Sequence, residues 1–323
     1  MSWTVTSRRG PFLPQIGWWL DAQDGKERSF VSHAHSDHVA RHREILCTPA
    51  TARLLDIRLG GRRKMVTVRY GEPHRPDNSG EIVLHPAGHI LGSAQFQVTT
   101  DNGVLLYTGD FKLKPGLTTE AAASPRADVL IMETTFGLPR YVMPPAEEVH
   151  AAIVAFCRRA LADQVTPVLY AYSLGKSQEL LAVLGQAGIP VMLHPQAARL
   201  AEVYASLGVT LPEIKEFDPI WHRGHAIITP PGTDLLNWIN PKRTAAVTGW
   251  ALDSATKYRY GCDETFPLSD HADYPELLAF VERVQPRLVY TLHGFAREFA
   301  TTLRSRGVEA WALGRGNQLE LSL

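Results

Sequence analysis

The six residues at positions 33–38 read HAHSDH and concentrate side chains that bind metals. Imidazole nitrogens and carboxylate oxygens suit zinc and other divalent ions of similar chemistry. In an extended segment, His33 and His35 point to the same side, whereas Asp37 and His38 lie beyond them and can face a second site. The spacing therefore predicts two metal ions. The competing interpretation is a polar turn that happens to be rich in histidine.

Three more candidate ligands lie farther along the chain. His89 lies in GHILGS, whose glycines permit a tight loop and a close approach of the backbone to a site. Asp110 ends VLLYTGD, and His293 follows the apolar run LVYTL, so each comes directly after a predicted strand, where sites on α/β scaffolds collect. A single histidine or aspartate in such a place is usually a cap or a turn residue. Together with residues 33–38, the three indicate one hydrolytic metal centre.

The elements that must position these residues change in character along the chain. The first part, to about residue 135, reads as short strands and loops. We expect helices at 146–161, 197–207, 275–284 and 296–306, a helix that ends at 184, and strands at 168–172, 191–193, 288–291 and near 311. The alternation of strand and helix up to about residue 263 predicts a parallel α/β unit. Both ends of the chain then form one catalytic scaffold, with this unit inserted between them.

The composition narrows the class of protein. A chain of 323 residues with 45% hydrophobic and 20% charged residues fits a soluble globular enzyme of one or two domains. The formal net charge is zero, so local basic patches must hold any nucleic acid. The three cysteines form no CxxC pair, which argues against a secreted fold built on disulfides. No signal peptide or membrane-length apolar run is recognisable, so we expect a cytoplasmic protein.

Together these motifs resemble the metallo-β-lactamase superfamily, and specifically its β-CASP branch, which cleaves nucleic acids. The residues that match motifs of the superfamily and the branch are Asp21, the segment 33–38, His89, Asp110, Glu133 in ETTFG, His271 in SDHAD, and His293. The resemblance covers essentially the whole chain. Within the branch, the chain is most similar to the bacterial ligase-associated DNA exonucleases, through YTGDFK, TFGLP and AYSLGKSQ.

The resemblance implies an α/β fold, namely a metallo-β-lactamase αββα sandwich with an inserted α/β (β-CASP) domain. We expect residues 1–138 and 264–323 to form the catalytic domain and 139–263 to form the insertion. The long separation of Asp110 from His293 leaves room for that insertion. Small single-domain hydrolases of the superfamily have no such room, which favours a nuclease over a thioesterase or a lactamase.

The resemblance also divides the ligands between two ions. His33, His35 and His89 would hold one ion, Asp37, His38 and His293 would hold the other, and Asp110 would bridge them. A carboxylate can bridge because it has two oxygens. Zinc is the expected metal and manganese is the competitor. Two such ions would let the protein hydrolyse a phosphodiester.

Four residues have further roles in this prediction. Asp37 counts as a catalytic carboxylate as well as a ligand. Asp21 would orient a ligand through a hydrogen bond, or simply cap a turn. Glu133 would hold His271, which would contact the scissile phosphate and protonate the leaving 3′-oxygen, or merely begin a helix.

A further segment, SLGKS, lies between a predicted strand and a predicted helix. Its Ser173 and Lys176 are candidates for contact with a nucleic-acid backbone, because free N–H groups at a helix start bind phosphate. The segment lacks the spacing of a nucleotide-binding P-loop, so we expect no ATP site.

The leading hypothesis is a DNA exonuclease that acts in DNA repair, with DNA as its partner and a DNA ligase and a helicase implied by the resemblance. The first alternative is an RNA-processing ribonuclease on the same scaffold, of the kind that processes mRNA 3′ ends. A catalytically dead scaffold subunit and a small-molecule hydrolase are the remaining alternatives. The complete ligand set argues against the scaffold subunit, and the insertion argues against the small-molecule hydrolase.

Overall fold

A computed structural model of the chain describes residues 3–59, 63–76 and 80–314. It divides into two compact units. Unit 1 takes its described residues from Met1–Pro115, Thr119–Val142 and His271–Leu323, and unit 2 comprises Gly116–Thr118 and Met143–Asp270.

The strands are, in chain order, β1 (Thr6–Ser7), β2 (Pro11–Leu13), β3 (Trp18–Leu20), β4 (Arg28–Phe30), β5 (Glu44–Cys47), β6 (Lys64–Thr67), β7 (Pro73–His74), β8 (Glu81–Pro86), β9 (Ala94–Thr100), β10 (Gly103–Tyr107), β11 (Val129–Glu133), β12 (Thr166–Tyr170), β13 (Val191–Leu193), β14 (Ala226–Thr229), β15 (Lys242–Val247), β16 (Glu264–Phe266), β17 (Leu288–Leu292) and β18 (Glu309–Ala312). The helices are α1 (Pro49–Leu59), α2 (Ala146–Ala162), α3 (Lys176–Gln186), α4 (Pro195–Ser206), α5 (Thr256–Tyr260), α6 (Tyr274–Val284) and α7 (Ala296–Ser305). Short 3₁₀ turns lie at Ser36–His38, Asp234–Trp238 and Gly249–Leu252.

Unit 1 contains two sheets that share a hydrophobic core. One has the strand order β1-β2-β3-β4-β5-β6, and the other has the order β18-β17-β11-β10-β9-β8-β7. Phe30 of the first sheet and Phe96 and Leu105 of the second belong to one buried cluster. The neighbour of Leu105, Leu106, faces the other way and packs with Phe280 of α6. Because side chains alternate along a strand, the second sheet is covered on both faces. The predicted αββα sandwich is confirmed.

Unit 2 is a parallel α/β unit. Its sheet has the order β13-β14-β12-β15-β16, and every pairing in it is parallel. Ile153 and Phe156 of α2 and Leu180 of α3 pack in its core. The predicted alternation of strand and helix is confirmed here. The compact unit reaches Asp270 and not residue 263, because β16 pairs with β15 inside it.

Among the residues that the structure describes, no helix is both long enough and apolar enough to cross a bilayer.

Candidate metal centre

Parallel strands bring three of the candidate residues to one edge of the seven-stranded sheet. Strands β10 and β17 both run parallel to β11, which lies between them. Asp110 follows β10, Glu133 ends β11, and His293 follows β17. Since the carboxyl ends of parallel strands meet at the same edge, these three residues converge although they are far apart in sequence.

The turn after β17 is tight because it presses against the segment after β11. His293 has φ 61° and Gly294 has φ 53°. A Cβ atom on Gly294 would lie 2.5 Å from the Cα atom of Thr135. At position 294, only glycine combines the positive φ with the missing Cβ that this close contact requires. The local sequence HG is therefore what allows the His293 side chain to follow the strand so closely.

The first donor set is compact. His33, His35, His89 and Asp110 each offer one donor atom, and these atoms all lie within 4.8 Å of one another. His35 Nδ1 lies 3.0 Å from His33 Nε2 and 3.2 Å from His89 Nε2. Asp110 Oδ2 is 3.6 Å from His33 Nε2 and 3.9 Å from His89 Nε2. These are the residues predicted to hold one ion, together with the predicted bridge.

The second donor set meets the first at Asp110. His38 Nε2 lies 3.2 Å from Asp110 Oδ2 and 3.7 Å from Asp37 Oδ2. The ring of His293 lies 5.7 Å from that of His38, centroid to centroid. The Asp37 side chain is 72% exposed, so this side of the cluster is open to solvent. Asp110 therefore stands next to both histidine groups, as a bridging carboxylate must.

The spacing of these donors suits divalent ions. Ligands held 2.0–2.1 Å from a tetrahedral zinc ion are about 3.3 Å apart. The donor–donor distances of 3.0 to 3.9 Å within the first set bracket that value. Burying four polar side chains whose acceptor atoms face one another also costs free energy unless a cation lies between them. On both grounds, the residues fit a metal site.

The pKa of His33 in the first donor set also suits metal binding. Burial lowers the pKa of His33 well below its ordinary value, and the neighbouring histidines His38, His89 and His35 lower it further. A neutral imidazole is the form that binds a metal. Ser32 Oγ lies 2.9 Å from His33 Nδ1, so Nε2 is the nitrogen that faces the other donors.

The charges on the other side of the cluster also favour a cation. Burial alone would lower the pKa of His38, but the carboxylates of Asp110 and Asp21 outweigh it and raise that pKa well above its ordinary value. Burial would raise the pKa of Asp110, but His38, His271 and His33 hold it well below its usual range. The cluster thus attracts positive charge, which a metal ion can supply by displacing the proton.

Asp21 lies behind the ligands and touches one of them. Its Oδ2 accepts hydrogen bonds from His38 Nδ1 at 3.0 Å, Tyr107 OH at 2.7 Å and Ser32 Oγ at 2.6 Å. Its Oδ1 accepts the backbone N–H of Ser32 at 2.7 Å. A carboxylate on Nδ1 fixes the tautomer that leaves Nε2 of His38 free toward Asp110. This geometry supports the predicted role of Asp21 as an orienting residue.

Glu133 and His271 form the pair that the motifs predicted. Glu133 is fully buried. Its Oε1 lies 3.0 Å from His271 Nδ1, and its Oε2 accepts the N–H of Thr135 at 2.8 Å. Donor atoms of Asp110, Glu133 and His271 lie within 4.8 Å of one another. The imidazole is therefore held at the edge of the metal cluster.

Unit 2 carries the two residues that were candidates for backbone contact. Ser173 Oγ lies 3.4 Å from Gln196 Oε1. Lys176 begins α3 but is only 1% exposed, and its Nζ lies 3.5 Å from Asp270 Oδ1 and 3.9 Å from Glu179 Oε2. An ammonium held among carboxylates inside the unit does not support contact with a polymer. That role of Lys176 stays a prediction without structural support.

Sequence reasoning missed residues that support the ligands from behind. Tyr107 and Ser32 bind Asp21, and Arg58 of α1 donates from its Nη1 to the carbonyl of Ala34 at 2.6 Å, between two ligands. Ser32 and Tyr107 are close in sequence to the motifs that end at His38 and Asp110, which was the available signal. Arg58 gave no such signal.

Known proteins are similar to this chain to different extents. Residues 262–313 match the family model described as "Zn-dependent metallo-hydrolase RNA specificity domain". A "Probable DNA ligase" from Opitutus terrae is 52% identical over 100% of this chain, which corresponds to 32% of that protein. "5′ exonuclease Apollo" from Gallus gallus is 29% identical over 83% of this chain and 59% of that protein. The chain thus spans about a third and about three fifths of these two relatives.

A solved structure is similar in fold. It is the crystal structure of a protein of unknown function from Enterococcus faecalis V583, with a TM-score of 0.61, 12% identity, and coverage of 88% of this chain and 78% of that chain. At this identity the likeness concerns the fold alone. The fold, the family model and the relatives agree with the resemblance carried by the motifs.

Proposed function

We propose that this chain, a member of the β-CASP branch of the metallo-β-lactamase superfamily, is a metal-dependent DNA exonuclease that acts in DNA repair. The observation that carries the proposal is the convergence of two donor sets on Asp110 Oδ2, from His33 Nε2 at 3.6 Å and His38 Nε2 at 3.2 Å. We assign two ions to it, zinc in the first place and manganese as the competitor. The seven ligands are those predicted from the sequence.

The bound ions would supply Lewis acidity toward the phosphate and activation of the attacking water. Asp110 would hold the two donor sets at a fixed spacing. His271, whose Nδ1–H donates to buried Glu133, would carry a second proton on Nε2 and transfer it to the leaving 3′-oxygen. Asp21 would keep His38 in its metal-binding tautomer. The roles of His271 and Asp21 each depend on a histidine Nδ1 that lies 3.0 Å from a carboxylate oxygen.

The relatives support DNA as the substrate. The names of the two relatives refer to a DNA ligase and to a 5′ exonuclease. The match to about a third of the ligase relative also supports a physical partnership of this activity with a DNA ligase. A helicase partner and a cytoplasmic location rest only on the sequence-based expectations.

A second candidate is a ribonuclease that processes RNA. The family model that matches residues 262–313 is described by RNA specificity, which favours this candidate. The metal cluster itself does not discriminate between the two polymers, because it acts on phosphate. The choice depends on contacts to the sugar, where only RNA offers a 2′-hydroxyl.

Digestion of matched DNA and RNA strands tests the proposal. The purified protein, loaded with zinc or manganese, is given 5′- and 3′-labelled single-stranded and double-stranded substrates of one sequence. The proposal expects stepwise release of nucleotides from DNA, and faster cleavage of RNA would establish the second candidate. Cleavage of neither polymer by metal-loaded protein would overturn both.

Two variants complete that experiment. Asp110→Asn removes the shared carboxylate and should abolish cleavage. His85→Asn is the matched control, because His85 is a partly buried histidine of unit 1 whose Nε2 binds Gln97 Oε1 at 2.9 Å outside the cluster. It should cleave like the unaltered protein. Equal loss of cleavage in both variants would mean that the substitutions act by disturbing the fold.

A further inference from the structure

A cluster of one arginine and two aromatic rings lies beside the turn that carries His293. Phe295 follows that ligand by two residues, and its ring stacks on Tyr141 with centroids 5.4 Å apart and an interplanar angle of 29°. The guanidinium carbon of Arg140 lies 4.8 Å from the Tyr141 centroid and 5.7 Å from that of Phe295. Its Nη2 donates to Tyr141 OH at 2.8 Å. The guanidinium is therefore held against two rings.

Ring contacts join this cluster to His271, which lies beside the candidate metal ligands. The Phe136 ring lies 5.2 Å from that of Tyr141 and 6.2 Å from that of His271, centroid to centroid. Phe136 and Tyr141 are 2% and 1% exposed, whereas Arg140 is exposed and Phe295 is half-buried. Buried rings thus form a rigid base, and the guanidinium lies on its solvent side, two ring contacts from His271.

A guanidinium plane in this position has a known chemical use. Arginine is planar, always charged and weakly hydrated, so it stacks on rings with one face and can stack on a nucleobase with the other. Stacking of bases on such planes is tolerant of sequence, because every base has a π-face. A contact of that kind suits an enzyme that removes nucleotides without regard to sequence.

We propose that Arg140, supported by Tyr141 and Phe295, is a stacking subsite for a nucleobase of the substrate strand. This inference rests on the proposed nuclease function and makes the substrate an oligonucleotide with an unpaired base near the scissile bond. The contact is to the base and not to a phosphate. A lysine at this position would keep the charge but lose the plane.

The test is a double-mutant cycle in which each protein variant is combined with strands that lack one base. Arg140→Lys and Arg140→Ala are compared with the unaltered protein on single strands, each of which lacks one base at a stated distance from the scissile bond. We expect both variants to raise KM on the intact strand by about five- to tenfold. In the unaltered protein, removal of one particular base should raise KM by a similar factor, and the same removal should add nothing in Arg140→Lys.

Arg304→Lys is the matched control, because the Arg304 guanidinium lies 5.4 Å from the ring of Trp311 in the same unit. It should leave KM unchanged. Full activity of Arg140→Lys, or effects of variant and abasic position that simply add at every position, would overturn the inference and leave the nuclease intact. Absence of any cleavage by the unaltered protein would instead overturn the proposed function.

Discussion

Replacing Asp21 by asparagine should separate metal binding from folding. Asp21 has φ 47°, a left-handed conformation that asparagine tolerates, so the backbone can stay in place. The amide oxygen can still accept the N–H of Ser32, which now approaches Oδ1 at 2.7 Å. The amide nitrogen, however, is a donor where Oδ2 accepted His38 Nδ1 at 3.0 Å. The imidazole then pairs best by accepting at Nδ1, which moves its proton to Nε2.

That shift of tautomer removes a metal ligand, because His38 Nε2 is the atom that faces Asp110 at 3.2 Å. Loss of a carboxylate behind a ligating histidine typically weakens metal binding about 10- to 100-fold. This corresponds to about 1.4 to 2.8 kcal/mol of binding free energy. Asp21→Ala leaves buried donors of Ser32 and Tyr107 without their acceptor as well, so it should also lower the free energy of unfolding, by about 2 to 4 kcal/mol.

Zinc affinity is measured by competition with a chelator, and the free energy of unfolding of metal-free protein by denaturant titration. The control is Asp163→Asn, which removes an exposed carboxylate that pairs with Arg243 at 3.0 Å in unit 2. We expect Asp21→Asn to lose affinity with a near-normal stability, and the control to change neither quantity. Unaltered zinc affinity in Asp21→Asn would refute the argument from the tautomer.

Three other outcomes follow from burial and backbone geometry. Burial raises the pKa of Cys47 and of Cys157 to about 12, so both thiols stay protonated at pH 8. They should therefore react with a disulfide reagent only after unfolding. Rapid labelling of the native protein would contradict this. Phe156→Ala empties a fully buried site in unit 2 and should cost about 3 to 5 kcal/mol in denaturant unfolding, and a change below about 1 kcal/mol would contradict the packing. Gly294→Ala places a Cβ 2.5 Å from Thr135 Cα, so it should displace the turn and lower metal content measured by elemental analysis. Normal metal content in that variant would contradict this prediction, because it would show that the turn accommodates the added Cβ.

Local patterns predicted much of this molecule. The candidate ligands at 33–38 lie within six residues, and metal chemistry restricts which residue types can serve, so the sequence alone was enough to predict them. Helices α2, α4, α6 and α7 lie within two residues of their expected bounds, because apolar residues recur at helical spacing and Pro or Gly residues flank several of them.

Contacts between distant residues could not be predicted. Tyr107 binds Asp21 across 86 positions, and no periodicity links them. Strand β16 has only three residues, too few for an alternating pattern, so the edge of unit 2 was placed before it. Lys176 follows a glycine at a helix start, which locally indicates phosphate binding, but its ammonium lies near Glu179 of the same helix and near Asp270, which is distant in sequence.

The proposed role of Asp110 is to join two metal-binding sets into one phosphodiester-cleaving centre. Its most direct test measures metal content and nucleotide release on the same samples of the unaltered protein, Asp110→Asn and His85→Asn. We expect two ions per chain and stepwise cleavage of DNA for the unaltered protein and for His85→Asn, and loss of both bound metal and cleavage for Asp110→Asn. Unaltered protein that carries two ions and cleaves neither DNA nor RNA would contradict it.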